Sequence, residues 1–304
     1  MRKVTALSRL LTPLALPFLL AAVFLSATLL SEELAQGVKG GLRLAVGSIL
    51  PSLFPFMILA DLITSLGSKE TGGMVRPLER LFGIGTAAAR AFLVGSIAGA
   101  PIAASMLARA RDDGAVSNEE VARVLAISSS PSLAFAVSGV GAAMWGDVRL
   151  GLLLFFSVIL ASFLYGILTR RSADQESAPE VSPSFSLIAS IERATFSSLR
   201  IVGVVTAFSV LSGLVARFSS VAPLVIPLLE VGNAASYLSE CELPRATALA
   251  LTAFALGFSG ISVHLQVRGA IGEGMRYLRF LRDKFIIGIL SAAIFSIVWS
   301  FIKQ

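Results

Sequence analysis

The sequence predicts an all-α polytopic membrane protein of two halves, with broken and re-entrant helices. Three observations predict it. Of 304 residues, 55% are hydrophobic and only 14% are charged, whereas a water-soluble domain carries about 25% charged residues. Apolar runs near the ~20 residues that cross a bilayer recur along the chain. Several of these runs are interrupted by Pro or Gly beside Ser or an acidic residue.

The same composition excludes a cytosolic enzyme, a nucleic-acid-binding module and a disordered tail. The net charge of +6 fits Lys and Arg gathered in cytoplasmic loops rather than a nucleic-acid partner. The single cysteine, Cys241, and single histidine, His264, leave no intramolecular disulfide, no cysteine-rich or His-pair metal site and few nucleophile–base arrangements. With no phosphate loop in view, an intramembrane enzyme has the least support, and no cofactor is expected.

The elements follow in order. Residues 10–30, preceded by Arg2, Lys3 and Arg9, read as a first transmembrane helix with its N-terminus inside. The run is long for a signal peptide and no small-x-small cleavage site follows. This helix makes 1–34 the first segment. A first half, 35–171, opens with apolar residues 42–66, broken by Pro51 and Pro55. A loop, 67–86, carries Lys69, Arg76 and Arg80, and 87–107 is interrupted by Gly95, Gly99 and Pro101. Ser117 and Glu120 form a capping box that starts a short helix outside the membrane. Residues 125–145 hold Ser128-Ser129-Ser130-Pro131, and 150–168 end in Arg170-Arg171.

The polar stretch 172–184 reads as a linker. The second half, 185–304, begins with 187–215, followed by 221–238 with Pro223, Pro227 and Gly232. Next come 246–267 with Gly257 and Gly260, a basic loop 268–284 with Arg268, Arg276, Arg279, Arg282 and Lys284, and a last span, 285–301. If 87–107 and 221–238 dip in and return on one side, all the basic loops fall in the cytoplasm.

Two weak internal matches suggest a repeat. Gly41-Leu-Arg-Leu pairs with Ser198-Leu-Arg-Ile, and Phe92-Leu-Val-Gly95 with Gly99 pairs with Phe254-Ala-Leu-Gly257 with Gly260. In the topology above the paired segments run in opposite senses. That is the layout of an inverted repeat, which in secondary transporters frames a midplane binding site.

Irregular backbone at membrane depth is tolerated only inside protein or beside a water-filled cavity. The breaks at Gly99 and Pro101, at Ser128 to Pro131, at Glu230 and Asn233, and at Ser259, Ser262, His264 and Gln266 are therefore the candidate solute-contacting residues. Half-helix N-termini there suit an anionic ligand. For the serines and glycines, close helix packing is the competing reading. Glu230 is an ionisable group in an apolar segment, a functional signal in a membrane. Asp61 is a weaker candidate near the end of its run, and Trp145 and Trp299 read as interface anchors.

These residues resemble a known family. PSLFPF at 51–56 is similar to the signature of the YlbJ-like sporulation integral membrane proteins, part of a wider nucleoside-recognition, or Gate-domain, membrane family. The runs at 111–120, Ser129-Ser130-Pro131, Leu228-Leu-Glu230-Val-Gly-Asn233 and Ser262-Val-His264-Leu-Gln266-Val resemble its other conserved stretches. The resemblance implies two Gate-like halves, distant similarity to concentrative nucleoside transporters, and a ligand held at hairpin tips and facing broken helices. In spore formers the family is associated with moving dipicolinate toward the forespore, which would place such a protein in a membrane surrounding it. This chain departs from the family's pattern at Ala100, where Gly-Tyr-Pro is usual, and at Ser128 or Ser129, where asparagine is usual.

The expected function is a permease of the cytoplasmic membrane for a small anionic or heteroaromatic solute, dipicolinate-like or nucleoside-like. It would work by alternating access, with membrane lipid as its surroundings. Sodium or a proton would be the coupling ion, through Glu230 or His264. The alternative is a non-transporting membrane scaffold or assembly factor that docks a partner on its basic loop.

Overall fold

The computed structural model describes residues 30–64, 68–171, 186–272 and 275–302. The first transmembrane helix expected at 10–30, but for Leu30, and the linker expected at 172–184 lie outside the described residues.

Helix α1 (Ser31–Leu44) passes through a π-helical turn (Ala45–Ile49) into α2 (Leu50–Thr64). The turn sits where Pro51 has no N–H to give the carbonyl four residues back, and Ser52 Oγ donates to Ser48 O at 2.6 Å beside it. The resulting span starts at Ser31, not at 42. Its early part packs through glycine: a Cβ on Gly41 would lie 2.6 Å from Thr206 Cα, so no larger residue allows this approach.

The expected loop 67–86 is largely helix. Helix α3 (Ser68–Phe82) buries Val75 and Phe82 and exposes Arg76 and Arg80, an amphipathic pattern that a search for apolar runs misses. It meets α4 (Thr86–Ala98) at 108°. Helices α4 and α5 (Ala100–Asp112) form a hairpin. A Cβ on Gly95 would lie 2.5 Å from Ala103 Cβ, a contact that residues eight apart make only when the chain reverses. Helix α6 (Asn118–Ser128) starts at Ser117, whose Oγ accepts from Glu120 N at 3.2 Å. The Glu120 carboxylate instead accepts from Gly85 N at 3.0 Å, which fixes the entry to α4. A break and a π-helix (Phe135–Met144) lead to α7 (Val148–Leu168), with Gly141 against Gly151.

The later elements are α8 (Leu187–Ala216), α9 (Ala222–Leu229), α10 (Val231–Glu240), α11 (Arg245–Phe258), α12 (Gly260–Ile271) and α13 (Tyr277–Ile302). The expected basic loop 268–284 is corrected, because α12 runs to Ile271 and α13 starts at Tyr277. Phe280, Lys284, Ile287, Ser291 and Phe295 are all buried at helical spacing, so the core-facing stripe begins before the apolar run does. Among the described residues five stretches are long and apolar enough to cross a membrane, Ser31–Leu59, Val148–Leu168, Leu187–Ala216, Arg245–Ile271 and Tyr277–Ile302, or six if the bent pair Val75–Phe82 and Thr86–Ala98 makes one span. Phe156, Phe196, Leu199 and Phe301 stand outward on them, as lipid-facing side chains do.

The basic segments meet at one end of the bundle. Glu119 accepts from Arg171 at 2.5 Å and Arg279 at 2.8 Å, and Arg111 donates to Ile271 O at 2.8 Å. Buried Arg123 donates to Phe82 O and Gly83 O at 2.8 Å and to Thr169 O at 3.3 Å. Arg193 grips Asp61 with two hydrogen bonds, of 2.9 and 2.5 Å, so this acid is committed to joining α2 to α8. Trp145 and Trp299 belong to the opposite apolar cluster.

The α4–α5 hairpin enters from the basic end, and the α6/π-helix span then runs away from that end. The α9–α10 pair lies toward the opposite end, and α11–α12 runs back to the basic one.

Candidate functional site

Each of the four interruptions has a local cause. Between α4 and α5, Gly99 has φ +101°, which glycine adopts at least cost. Pro101 lies in the first turn of α5, where a missing N–H does no harm; its side chain lies outside the described residues. Helix α6 ends at Ser128 because Pro131 disfavours helical backbone in the residue before it. Ser128 Oγ donates to Val124 O at 2.8 Å, and Ser132 Oγ accepts from Phe135 N at 3.1 Å, starting the next helix.

Between α9 and α10 the backbone at Glu230 is extended, and its carboxylate caps α10. It accepts from Asn233 N at 2.6 Å and from Asn233 Nδ2 at 2.9 Å. Asn233 Oδ1 accepts in turn from Ser209 Oγ at 2.5 Å, tying the cap to α8. Between α11 and α12, Ser259 and Gly260 have φ of +72° and +70°, two consecutive left-handed residues that interrupt the ladder without ending the span.

The four interruptions pack together. Gly99 lies against the Ser130–Pro131–Ser132 break, where an added Cβ would be 3.3 Å from Ser132 N. Gly260 lies against the turn between α9 and α10, where an added Cβ would be 3.0 Å from Glu230 Cα and from Leu229 O. The two broken spans touch directly, Ser259 Oγ donating to Ser129 O at 3.0 Å. Each turn therefore sits on the break of its own half, and the breaks cross in the middle.

A cavity of about 90 Å³ opens at this meeting point, room for several waters or a small planar group. Gly99, Ser130, Pro131, Ser132, Glu230, Ser259 and Gln266 supply its polar side, and Ile49, Leu53, Met57, Phe135 and Val205 are among its apolar residues. Of the residues singled out in the sequence, Gly99, Ser130, Pro131, Glu230, Ser259 and Gln266 line it. Ser128, Ser129, Asn233, Ser262 and His264 do not. His264 is fully buried, donates from Nε2 to Phe258 O at 2.8 Å, and lies between the rings of Phe258 and Phe280.

Sequence reasoning missed two contributors. One is the apolar wall from Leu53 and Met57, which gives the PSLFPF helix a place at the cavity. The other is Lys284, fully buried, whose Nζ donates to Ser129 O at 2.7 Å. Its spacing from Phe280 and Ile287 was the available signal. Outside the membrane-spanning segments, Glu119 has its carboxyl held below the usual glutamate range, chiefly by the hydrogen bond from Arg279 and the charge of Arg171.

No protein-family model matches the chain, and no solved structure matches it. It is similar to the sporulation integral membrane protein YlbJ of Bacillus subtilis (strain 168), with 25% identity over 334 aligned residues that cover 91% of this chain and 81% of that protein. The long apolar helices make the chain an integral membrane protein, and over most of its length it is similar in sequence to YlbJ.

Proposed function

We propose that this protein is a permease that moves a small solute by alternating access at the crossing of its broken spans. The observation that carries the reading is the convergence of two helix turns, two span breaks and one buried carboxylate on a single cavity. Glu230 is 3% exposed on the cavity wall, and its cap on α10 needs an oxygen but not a charge, so packing alone does not call for a carboxylate that is costly to bury.

The walls narrow the solute class. An apolar face suits a planar ring, and the serines with Gln266 supply donors and acceptors for its edge. Glu230 favours hydrogen-bond donors on that edge, so a heteroaromatic solute with N–H groups fits better than a bare dianion. An anionic solute such as dipicolinate would have to arrive with a proton or cation that offsets Glu230. The hairpin turns act as re-entrant gates that part from the breaks on one side at a time. The name of the similar YlbJ, a sporulation integral membrane protein, supports a membrane role in sporulation, and a place in a membrane around the forespore is the location proposed with it.

The test is uptake into proteoliposomes of purified full-length chain, with labelled uridine and labelled dipicolinate, with and without proton and sodium gradients. Saturable uptake of either supports the reading, and the preferred solute sets the class. No uptake of either by folded, inserted protein would leave the scaffold alternative as the better one.

A further inference from the structure

Lys284 is a buried cation with no matching anion. Its side chain is fully enclosed, and among the described residues no carboxylate lies within ion-pair distance of it. The neighbouring Asp283 is committed elsewhere, to Arg282 at 2.6 Å and Arg279 at 3.8 Å. An ammonium without compensation is costly to bury, so something else must hold its charge.

That something is the end of a broken helix. Ser129 caps the C-terminus of α6, where the last carbonyls have no intrahelical partner and carry partial negative charge. Its carbonyl takes both Lys284 Nζ and Ser259 Oγ. Two more acceptors stand unused nearby. Ser129 Oγ is buried without a partner, and so is His264 Nδ1, on a ring that meets Phe280 at a tilt of 58°, one turn before Lys284. Carbonyl and hydroxyl oxygens at the C-terminal end of an unwound helix are the donor set that coordinates a monovalent cation in broken-helix transporters.

We propose that the crossing of the two broken spans is a monovalent-cation site that the chain fills with its own ammonium, Lys284, in place of a diffusible sodium ion. On the permease reading above, transport is then independent of sodium. The site itself does not rest on that reading.

The test separates the two. Thermal unfolding of the purified full-length protein, its Lys284→Ala variant and its Lys284→Met variant is followed in sodium, methylammonium or tetramethylammonium chloride at equal ionic strength. Lys284→Ala should lose stability and regain it saturably, by about 4 °C in Tm, with sodium or methylammonium but not with tetramethylammonium. Lys284→Met, whose side chain refills the space, should not respond, nor should the wild type. An alanine variant no more responsive than the methionine variant would overturn the proposal. So would a saturable, sodium-specific Tm rise in the wild type, which needs no variant to fold. Rescue without any solute uptake would leave the cation site standing and remove only its consequence for transport.

Discussion

Replacing Gly260 with alanine tests whether the turn at Glu230 must rest on the break at Ser259. Two costs arise at this residue. Its φ of +70° places a Cβ close to the following carbonyl, worth about 1–2 kcal/mol for an L-residue. The Cβ would also meet Glu230 Cα, Leu229 O and Glu230 N at 3.0–3.1 Å, backbone atoms that cannot rotate away. Relief requires the α9–α10 turn to move outward by a few tenths of an ångström, adding about 1 kcal/mol. The sum, about 2–3 kcal/mol, corresponds to a Tm lower by about 5–8 °C. On the permease reading, because the displaced atoms belong to a cavity-lining residue, solute uptake should fall more than the loss of folded protein explains. Gly269→Ala is the control: an added Cβ meets nothing within 4 Å there, so it should be neutral or slightly stabilising in its helix. Scanning calorimetry and proteoliposome uptake on both variants decide it. If Gly260→Ala matches Gly269→Ala in both assays, the contact between turn and break does not exist.

Three further outcomes follow from the same geometry. Glu230→Gln keeps an oxygen to cap α10 but removes the charge, so Tm should change by no more than the few degrees a weakened cap gives, about 1 kcal/mol, while uptake drops at least about tenfold; unchanged uptake would strip the carboxylate of its role. Asp61→Asn breaks a pair whose arginine side chain is 46% exposed, so the loss should stay at or below about 1 kcal/mol and uptake should persist, which the same two assays check. For Glu119 the sign runs with its lowered carboxyl: the arginine cluster holds it charged, its contribution is present at neutral pH, and it is lost as pH falls through and below the ordinary glutamate range. The wild type should therefore show an acid-side loss of Tm that Glu119→Gln lacks.

The sequence made the spans and breaks legible because lipid imposes a coarse rule, long apolar runs with costly interruptions. Pro131 and the Gly99 region mark real breaks for reasons of backbone chemistry that need no tertiary information. Glu230 stood out because an acid in an apolar run is rare. What stayed hidden was direction and depth. The charge of Lys284 suggested a loop, whereas its place on a helical stripe with Phe280 and Ile287 puts it in the core. Asp61 appeared a candidate until Arg193, 132 residues away, supplied its partner.

The distribution of hydrogen bonds divides the centre of the molecule into a part built to hold and a part built to yield. The broken spans are linked to each other through one carbonyl, Ser129 O, which accepts from Ser259 on α11–α12 and from Lys284 on α13. The turns are held differently. Among the described residues no hydrogen bond joins Gly99 to the Ser130–Ser132 break or Glu230 to Gly260; both contacts are van der Waals contacts made through glycine. The cap that Glu230 forms is internal to its own turn, through Asn233. Lifting either turn from its break thus breaks no hydrogen bond among the described residues, whereas separating the two spans would strand a buried ammonium, at a cost of several kcal/mol. On the permease reading the crossing is the fixed frame, and the turns, approached from opposite ends of the bundle, are the parts that open. Cross-linking a turn to its break should then arrest uptake without altering Tm downward, while weakening the crossing at Ser259 should lower Tm first.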